Sequence, residues 1–298
     1  MATTERYLRL TALGQKAFNR GNLHRSLRLF QAAEEEALKS GDRDLADRAF
    51  CNRCVVLLEL DRLDGSVGEL KQVLMRSRDP FTSWMAAYYT AQVYEAEGNL
   101  QRALAYARRA CELAEVCGDE RTRFHSANQH GVLALRQSRF SEAAESFTTA
   151  LALAEQVGAD PLGVAIVRDN LGYCLMCLGQ WEAGLALCED AAATVERLGT
   201  RQYLPEVYQD ICYGYLSRGN FAIAEQFGLK ALALAREYGY RDVERNVLML
   251  LADAAFDEHH EVLANHYLNQ LAEHYPDLRG MQAFFRAFNV REVINLKA

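Results

Sequence analysis

Basic charge is in short supply in this chain. Its 33 lysines and arginines stand against 40 aspartates and glutamates, a net charge of −7. Affinity for nucleic acid comes largely from cationic side chains set against phosphates, so the balance argues against a nucleic-acid partner. Proline is scarce as well: Pro80, Pro161, Pro205 and Pro276 are all there are. Each falls at a proposed helix end, so no helical run is broken. No apolar stretch is long enough to cross a bilayer, and Met1 to Arg6 is polar, without the hydrophobic region of a signal peptide. A cytoplasmic protein without a membrane partner is expected. Glycine-rich phosphate loops, Gly-x-Ser-x-Gly and His-Glu-x-x-His are all missing. No enzyme class therefore has positive support, and no cofactor or metal is implied. Nor does any Ser/Gly/Pro-rich linker divide the 298 residues.

What the chain does have is a repeat. Small residues recur at Ser26, Ser66, Ala103, Ala143, Gly184, Ala224 and Ala264, and twelve positions before each lies another: Gly14, Cys54, Ala91, Gly131, Gly172, Cys212 and Ala252. Between the two sits a turn, at Gly21, Asp61, Gly98, Ser138, Gly179, Gly219 and His259, at intervals of 40, 37, 40, 41, 40 and 40 residues. A fixed period of this length marks a stacked repeat architecture. Each unit reads as two amphipathic helices. Antiparallel helices approach closely only where side chains at the crossing are small, and larger ones would force the axes apart. Leu23, Leu63, Leu100, Phe140, Trp181 and Phe221 follow the turns and plug the ends of the pairs; Glu261 breaks this slot in the last unit.

Stop signals keep the same register. Gly41, Gly118, Gly158, Gly199 and Gly239 lie twenty residues past their turns, where glycine tolerates the left-handed conformation that ends a helix. Asp42, Asp119, Asp160 and Asp242 follow as N-cap candidates. Asp79-Pro80 and Asp160-Pro161 pair such a cap with proline at the first helical position.

These units resemble tetratricopeptide repeats. Leu13-Gly14 and Leu171-Gly172 occupy the Leu-Gly position, and Tyr94 and Tyr215 the tyrosine position. Phe30 and Phe147 stand in the aromatic slot, Ala33, Ala110, Ala150, Ala191 and Ala231 in the second alanine slot, and Pro276 at the terminal proline. The likeness covers about residues 5–276; its period, nearer 40 than the common ~34 residues, departs from the pattern. The resemblance implies an all-α protein, an α-solenoid of about seven stacked antiparallel helix pairs. The expected organisation is one domain over 1–298, with repeats at about 5–41, 42–79, 80–118, 119–158, 159–199, 200–239 and 240–276. A C-terminal cap is expected over 277–298. Met281, Phe284, Phe285 and Phe288 follow i, i+3, i+4, i+7 spacing, which predicts a capping helix near 280–289. The final apolar positions, Val290, Val293, Ile294 and Leu296, either complete that cap or form a dimer contact. The expected state is a monomer or a weak dimer.

Two CxxC patterns, Cys51 to Cys54 and Cys174 to Cys177, have a spacing used for zinc and redox chemistry. Cys54 and Cys212, however, fill slots that hold glycine or alanine elsewhere, the behaviour of a small buried hydrophobe. His259, His260, His266 and His274 cluster late but lack the i, i+4 spacing of a metal pair.

By the same resemblance the first helix of each pair lines an inner surface. Helical spacing points Thr11, Gln15, Cys51 and Val55 inward in the first two units. In the later units it selects Tyr88, Gln92, Asn128, Asp169, Tyr173, Gln209, Tyr213 and Asp253, with Glu206 and Asn246 one turn earlier. Amides can bond a peptide backbone in both directions, tyrosines give flat contact with a polar tip, and the carboxylates favour a cation. The expected function is a non-enzymatic scaffold that binds a peptide or partner-protein segment, extended or helical and carrying Lys or Arg. A regulator sensing a small ligand or peptide through the same groove is the alternative.

Overall fold

A computed structural model describes residues 2–60, 65–275, 280 and 294–298. Among these residues the secondary structure is helical with no strand. The chain forms two compact units, one up to Leu133 and one from Ala134 onward. The first holds α1 (Ala2–Phe18), α2 (Leu23–Ser40), α3 (Arg43–Glu59), α4 (Ser66–Arg76), α5 (Pro80–Ala96), α6 (Leu100–Cys117) and most of α7 (Glu120–Arg136). The second holds α8 (Phe140–Ala154), α9 (Pro161–Cys177), α10 (Trp181–Leu198), α11 (Leu204–Ser217), α12 (Phe221–Tyr238), α13 (Arg241–Asp257) and α14 (Glu261–Ala272).

Chain neighbours pack on one another from α1 to α6 in the first unit and from α8 to α14 in the second, and the first helices of successive pairs also meet. α3 touches α5 in the first unit; α9 touches α11, and α11 touches α13, in the second. This is helix-pair packing in which each pair covers the next. The small slots lie at the crossings, as expected. Ala91, Ala103, Ala143, Ala224 and Ala264 are fully or almost fully buried. Between α1 and α2, Ser26 Oγ donates to the Gly14 carbonyl at 2.9 Å. α9 and α10 come closest to backbone contact: a Cβ added at Gly172 would lie 2.6 Å from the Gly184 oxygen, and one at Gly184 would lie 2.5 Å from the Gly172 oxygen.

The repeat extends to backbone conformation. Ser138 and His259 are the non-glycine residues with positive φ among those described, at 58° and 60°. Both occupy the turn slot that Gly21, Gly98, Gly179 and Gly219 fill with positive φ in four other units, so the architecture imposes the left-handed turn even where the residue resists it. Asp42, Asp79, Asp119 and Asp160 each accept a hydrogen bond from the backbone N–H three residues on. Asp242 does not cap α13. The Tyr240 N–H closes onto the Ala235 carbonyl straight after Gly239, so the helix starts at Arg241 and Asp242 falls in its first turn, where its charge still favours the helix dipole. Asp61, Leu63, Pro276 and the expected cap, with Met281, Phe284, Phe285, Phe288, Val290 and Val293, lie outside the described residues.

Candidate functional site

The residues predicted to face inward fall into separate groups, one in each unit. In the first unit, Tyr88 and Gln92 of α5 line a cleft of about 360 Å³ with Phe81, Trp84, Tyr89 and His125. The Trp84 and Tyr88 rings stack at 5.2 Å, and Trp84 Nε1 donates to Ser126 Oγ at 2.7 Å, tying α5 to α7. Burial raises the Tyr88 hydroxyl to about 12. Partial burial also lowers the His125 pKa, with Arg121 acting in the same direction. Asn128 is half-buried on α7 and does not line the cleft.

The second unit gathers Asp169 and Tyr173 of α9, Glu206 of α11 and Asn246 of α13 around a seat. Its occupant is the chain's own segment 294–298, whose Leu296 is only 6% exposed. The Leu296 N–H donates to the Tyr173 hydroxyl at 2.9 Å, and Asn246 Nδ2 donates to the Leu296 carbonyl at 3.0 Å. Both main-chain groups of one residue are thus held by side chains of the seat. Lys297 Nζ donates to Asp169 Oδ2 at 2.9 Å and lies 2.8 Å from Asp210 Oδ2 and 4.0 Å from Glu206. Asn295 Nδ2 donates to the Leu135 carbonyl at 2.7 Å and reaches Ser138 Oγ at 3.2 Å. The segment is a tight turn, neither extended nor helical. The Lys297 N–H donates to Asn295 Oδ1 at 3.0 Å, and the Ala298 N–H to the Asn295 carbonyl at 3.2 Å, the Asx-turn geometry for which asparagine is suited.

The electrostatics follow from burial. Asp169 and Asp210 are 3% and 0% exposed. Taking carboxylates out of water disfavours their charged form, and Asp210 is pushed well above the ordinary carboxylate range by burial, with Asp169 adding to the rise and Lys297 opposing it. Burial works against the charge of Lys297, yet the surrounding Asp169, Asp210 and Glu206 hold its ammonium well above its usual pKa. A buried ammonium is thus flanked by two buried carboxylates, each charge offsetting the desolvation of the other. Two acceptors still go unused: Asp169 Oδ1 and Gln209 Oε1 are buried with no hydrogen-bond partner among the described residues.

The inward-facing side chains of this unit are largely withdrawn from solvent. Tyr173 is fully buried, and Asp169, Gln209, Tyr213, Asn246 and Asp253 are at most 9% exposed; Glu206 stays exposed. The Tyr213 ring lies 5.6 Å from Tyr173 of α9 and 6.0 Å from Trp181 of α10, and 294–298 meets Tyr173, Asn246 and Asp169. Sequence spacing missed Asp210, one position from Gln209. A charged residue inside the apolar run of α11 was the signal that a buried partner had to exist. It also missed that the apolar end of the chain supplies the cation: residues 294–298, expected to complete a cap or a dimer contact, lie in the seat instead.

The cysteines are packing residues. Burial raises the thiols of Cys54, Cys174 and Cys212 to about 12 and that of Cys177 to about 11. Among the described residues no three His, Cys, Asp or Glu side chains are grouped to hold a metal ion, and no helix is long and apolar enough to cross a membrane. Two arginines of α3 are engaged with acidic partners, Arg48 with Asp79 and Arg53 with Glu34.

No family model and no curated protein matches the chain. Solved structures do. The apo form of RapI is 15% identical over 90% of this chain and 96% of that one, with a TM-score of 0.64. NprR in complex with its cognate peptide NprX is 11% identical over 93% of this chain and 81% of that one, at 0.65. The STAND protein PH0952 of Pyrococcus horikoshii, which has a tetratricopeptide repeat sensor, is 17% identical over 97% of this chain and 45% of that one, at 0.63. At such identities the likeness is one of fold: the chain folds as a tetratricopeptide-type helical repeat.

Proposed function

We propose that this protein is a non-enzymatic binder of a peptide or partner-protein segment, and that the face of α9, α11 and α13 takes a cationic side chain of that segment. One observation carries the reading: an ammonium already sits between Asp169 and Asp210, at 2.9 and 2.8 Å, with Glu206 at the rim. Asn246 and Tyr173 beside it grip main-chain groups, which is how a site binds a segment instead of a free ion. The peptide-bound state of NprR, a protein of the same fold, supports the class of partner. An immobilised array of short peptides with Lys, Arg or Ala at one position tests it. The full chain carrying Lys297→Ala, which frees the two carboxylates of their own ammonium, should be retained by the Lys and Arg peptides more than by the Ala peptides, less so as salt screens the rim charge, and less so again when Asp169→Asn is added. Retention that ignores the cation and survives Asp169→Asn would refute it.

A further inference from the structure

Resting on that reading, we infer that the seat recognises a specific local shape, an Asx turn of sequence Asn–large apolar–Lys. The chain's own Asn295-Leu296-Lys297 is its resident occupant, which an outside segment must displace.

Each residue of the resident turn has its own receptor. The Asn295 side chain does two things at once, accepting the Lys297 N–H to close the turn and donating to the Leu135 carbonyl and Ser138. Leu296 supplies the buried apolar side chain and has both main-chain groups bonded. Lys297 supplies the charge that two buried carboxylates need. Asparagine, a large apolar residue and a cation are each required by a different contact, so removing any one leaves a buried group unmatched.

Two features make the turn replaceable by a better one. The first is that, among the described residues, Asp169 Oδ1 and Gln209 Oε1 are buried with no hydrogen-bond partner, so a partner that donates to them as well has contacts the resident lacks. The second is that Glu206, at the rim 4.0 Å from Lys297 Nζ, is exposed, so an incoming cation meets an accessible carboxylate before it reaches the buried pair. A tethered occupant competes at an effective concentration on the order of a millimolar. An isolated outside turn with identical contacts therefore binds the intact chain poorly and binds well once the resident is weakened.

The test uses the full chain and a fluorescent, N-acetylated Ile-Asn-Leu-Lys-Ala peptide. First, lysine acylation is followed by mass spectrometry. Lys297 should react at least tenfold more slowly than exposed Lys39, and excess peptide should speed it. Second, the peptide should bind Lys297→Ala at least tenfold more tightly than wild type, and an Asn-to-Ala peptide should lose that gain. Far-ultraviolet circular dichroism confirms that the variant is folded; the acylation arm needs no variant. Lys297 acylated as fast as Lys39 overturns the resident turn while leaving the array result above untouched. Lys297 protected, with no gain in peptide affinity for Lys297→Ala, overturns displacement and makes the segment a fixed clamp; the proposed binding function then falls only if the array also fails.

Discussion

Two glycines of one helix should respond in opposite ways to the same change. Gly163 and Gly172 both lie in α9, and alanine is favoured over glycine in a helix interior by about 1 kcal/mol. At Gly163 a new Cβ meets nothing within 4 Å, so Gly163→Ala should stabilise by about 0.5–1 kcal/mol. At Gly172 the Cβ would lie 2.6 Å from the Gly184 carbonyl oxygen and from Cys188 Sγ. That is about 0.8 Å inside the shortest ordinary contact of 3.4 Å. The oxygen belongs to the backbone of α10, so relief requires α9 and α10 to separate. Overpacking of this kind costs about 1–3 kcal/mol, which outweighs the helix propensity and leaves Gly172→Ala destabilised by about 1 kcal/mol or more. The two variants should therefore differ by about 2 kcal/mol. For a cooperative unit of this size that corresponds to roughly 4–8 °C in melting temperature, read by circular dichroism at matched scan rates. Gly172→Leu should be worse than either. Asp169 and Tyr173 flank Gly172, so the same displacement should loosen the seat and speed acylation of Lys297. A Gly172→Ala chain that melts at or above Gly163→Ala would refute the close crossing of α9 and α10.

Three further outcomes are expected. Tyr173→Ala with Tyr213→Ala should lower the melting temperature severely, since truncating each buried aromatic costs about 3–5 kcal/mol; an unchanged melt would mean that the rings are solvated. Cys212→Ala should stay within about 1 kcal/mol of wild type, because alanine serves that slot elsewhere, and the folded chain should resist iodoacetamide at pH 7.5, its buried thiols at Cys54, Cys174 and Cys212 lying at about 12; rapid stoichiometric alkylation of one of these would reveal a reactive cysteine. Lys297→Ala should be destabilised more at pH 8 than at pH 4. Removing the ammonium leaves Asp210 with burial and Asp169, both of which raise its pKa. A carboxyl raised above its unfolded value of about 3.9 contributes stability below that pH and loses it as pH rises through the folded value. The deficit should approach about 3–5 kcal/mol, the cost of orphaning a buried partner, and a deficit flat with pH would remove its electrostatic origin.

Much of this protein was legible in the chain because the signals are local and repeated. Helix pairing follows from small residues twelve apart, and the turn slot was placed at Ser138 and His259, where no glycine marks it, while the left-handed backbone that both adopt came from the structure. Aspartates before a helix cap it through bonds that span three residues. Asp169, Tyr173, Glu206 and Asn246 were placed on one inner face by the family resemblance together with helical spacing, and their chemistry pointed to a peptide backbone and a cation. Tertiary structure decided what that face meets. Lys297 reaches Asp169 across 128 positions and Leu296 reaches Tyr173 across 123. No periodicity links residues so far apart; only the stacking of α9, α11 and α13 sets three side chains at one turn. Burial was decided there too. A polar inner face reads the same in sequence whether water or another segment covers it, and the difference is made by whatever part of the chain folds back to neutralise two carboxylates that cannot remain charged and dry alone.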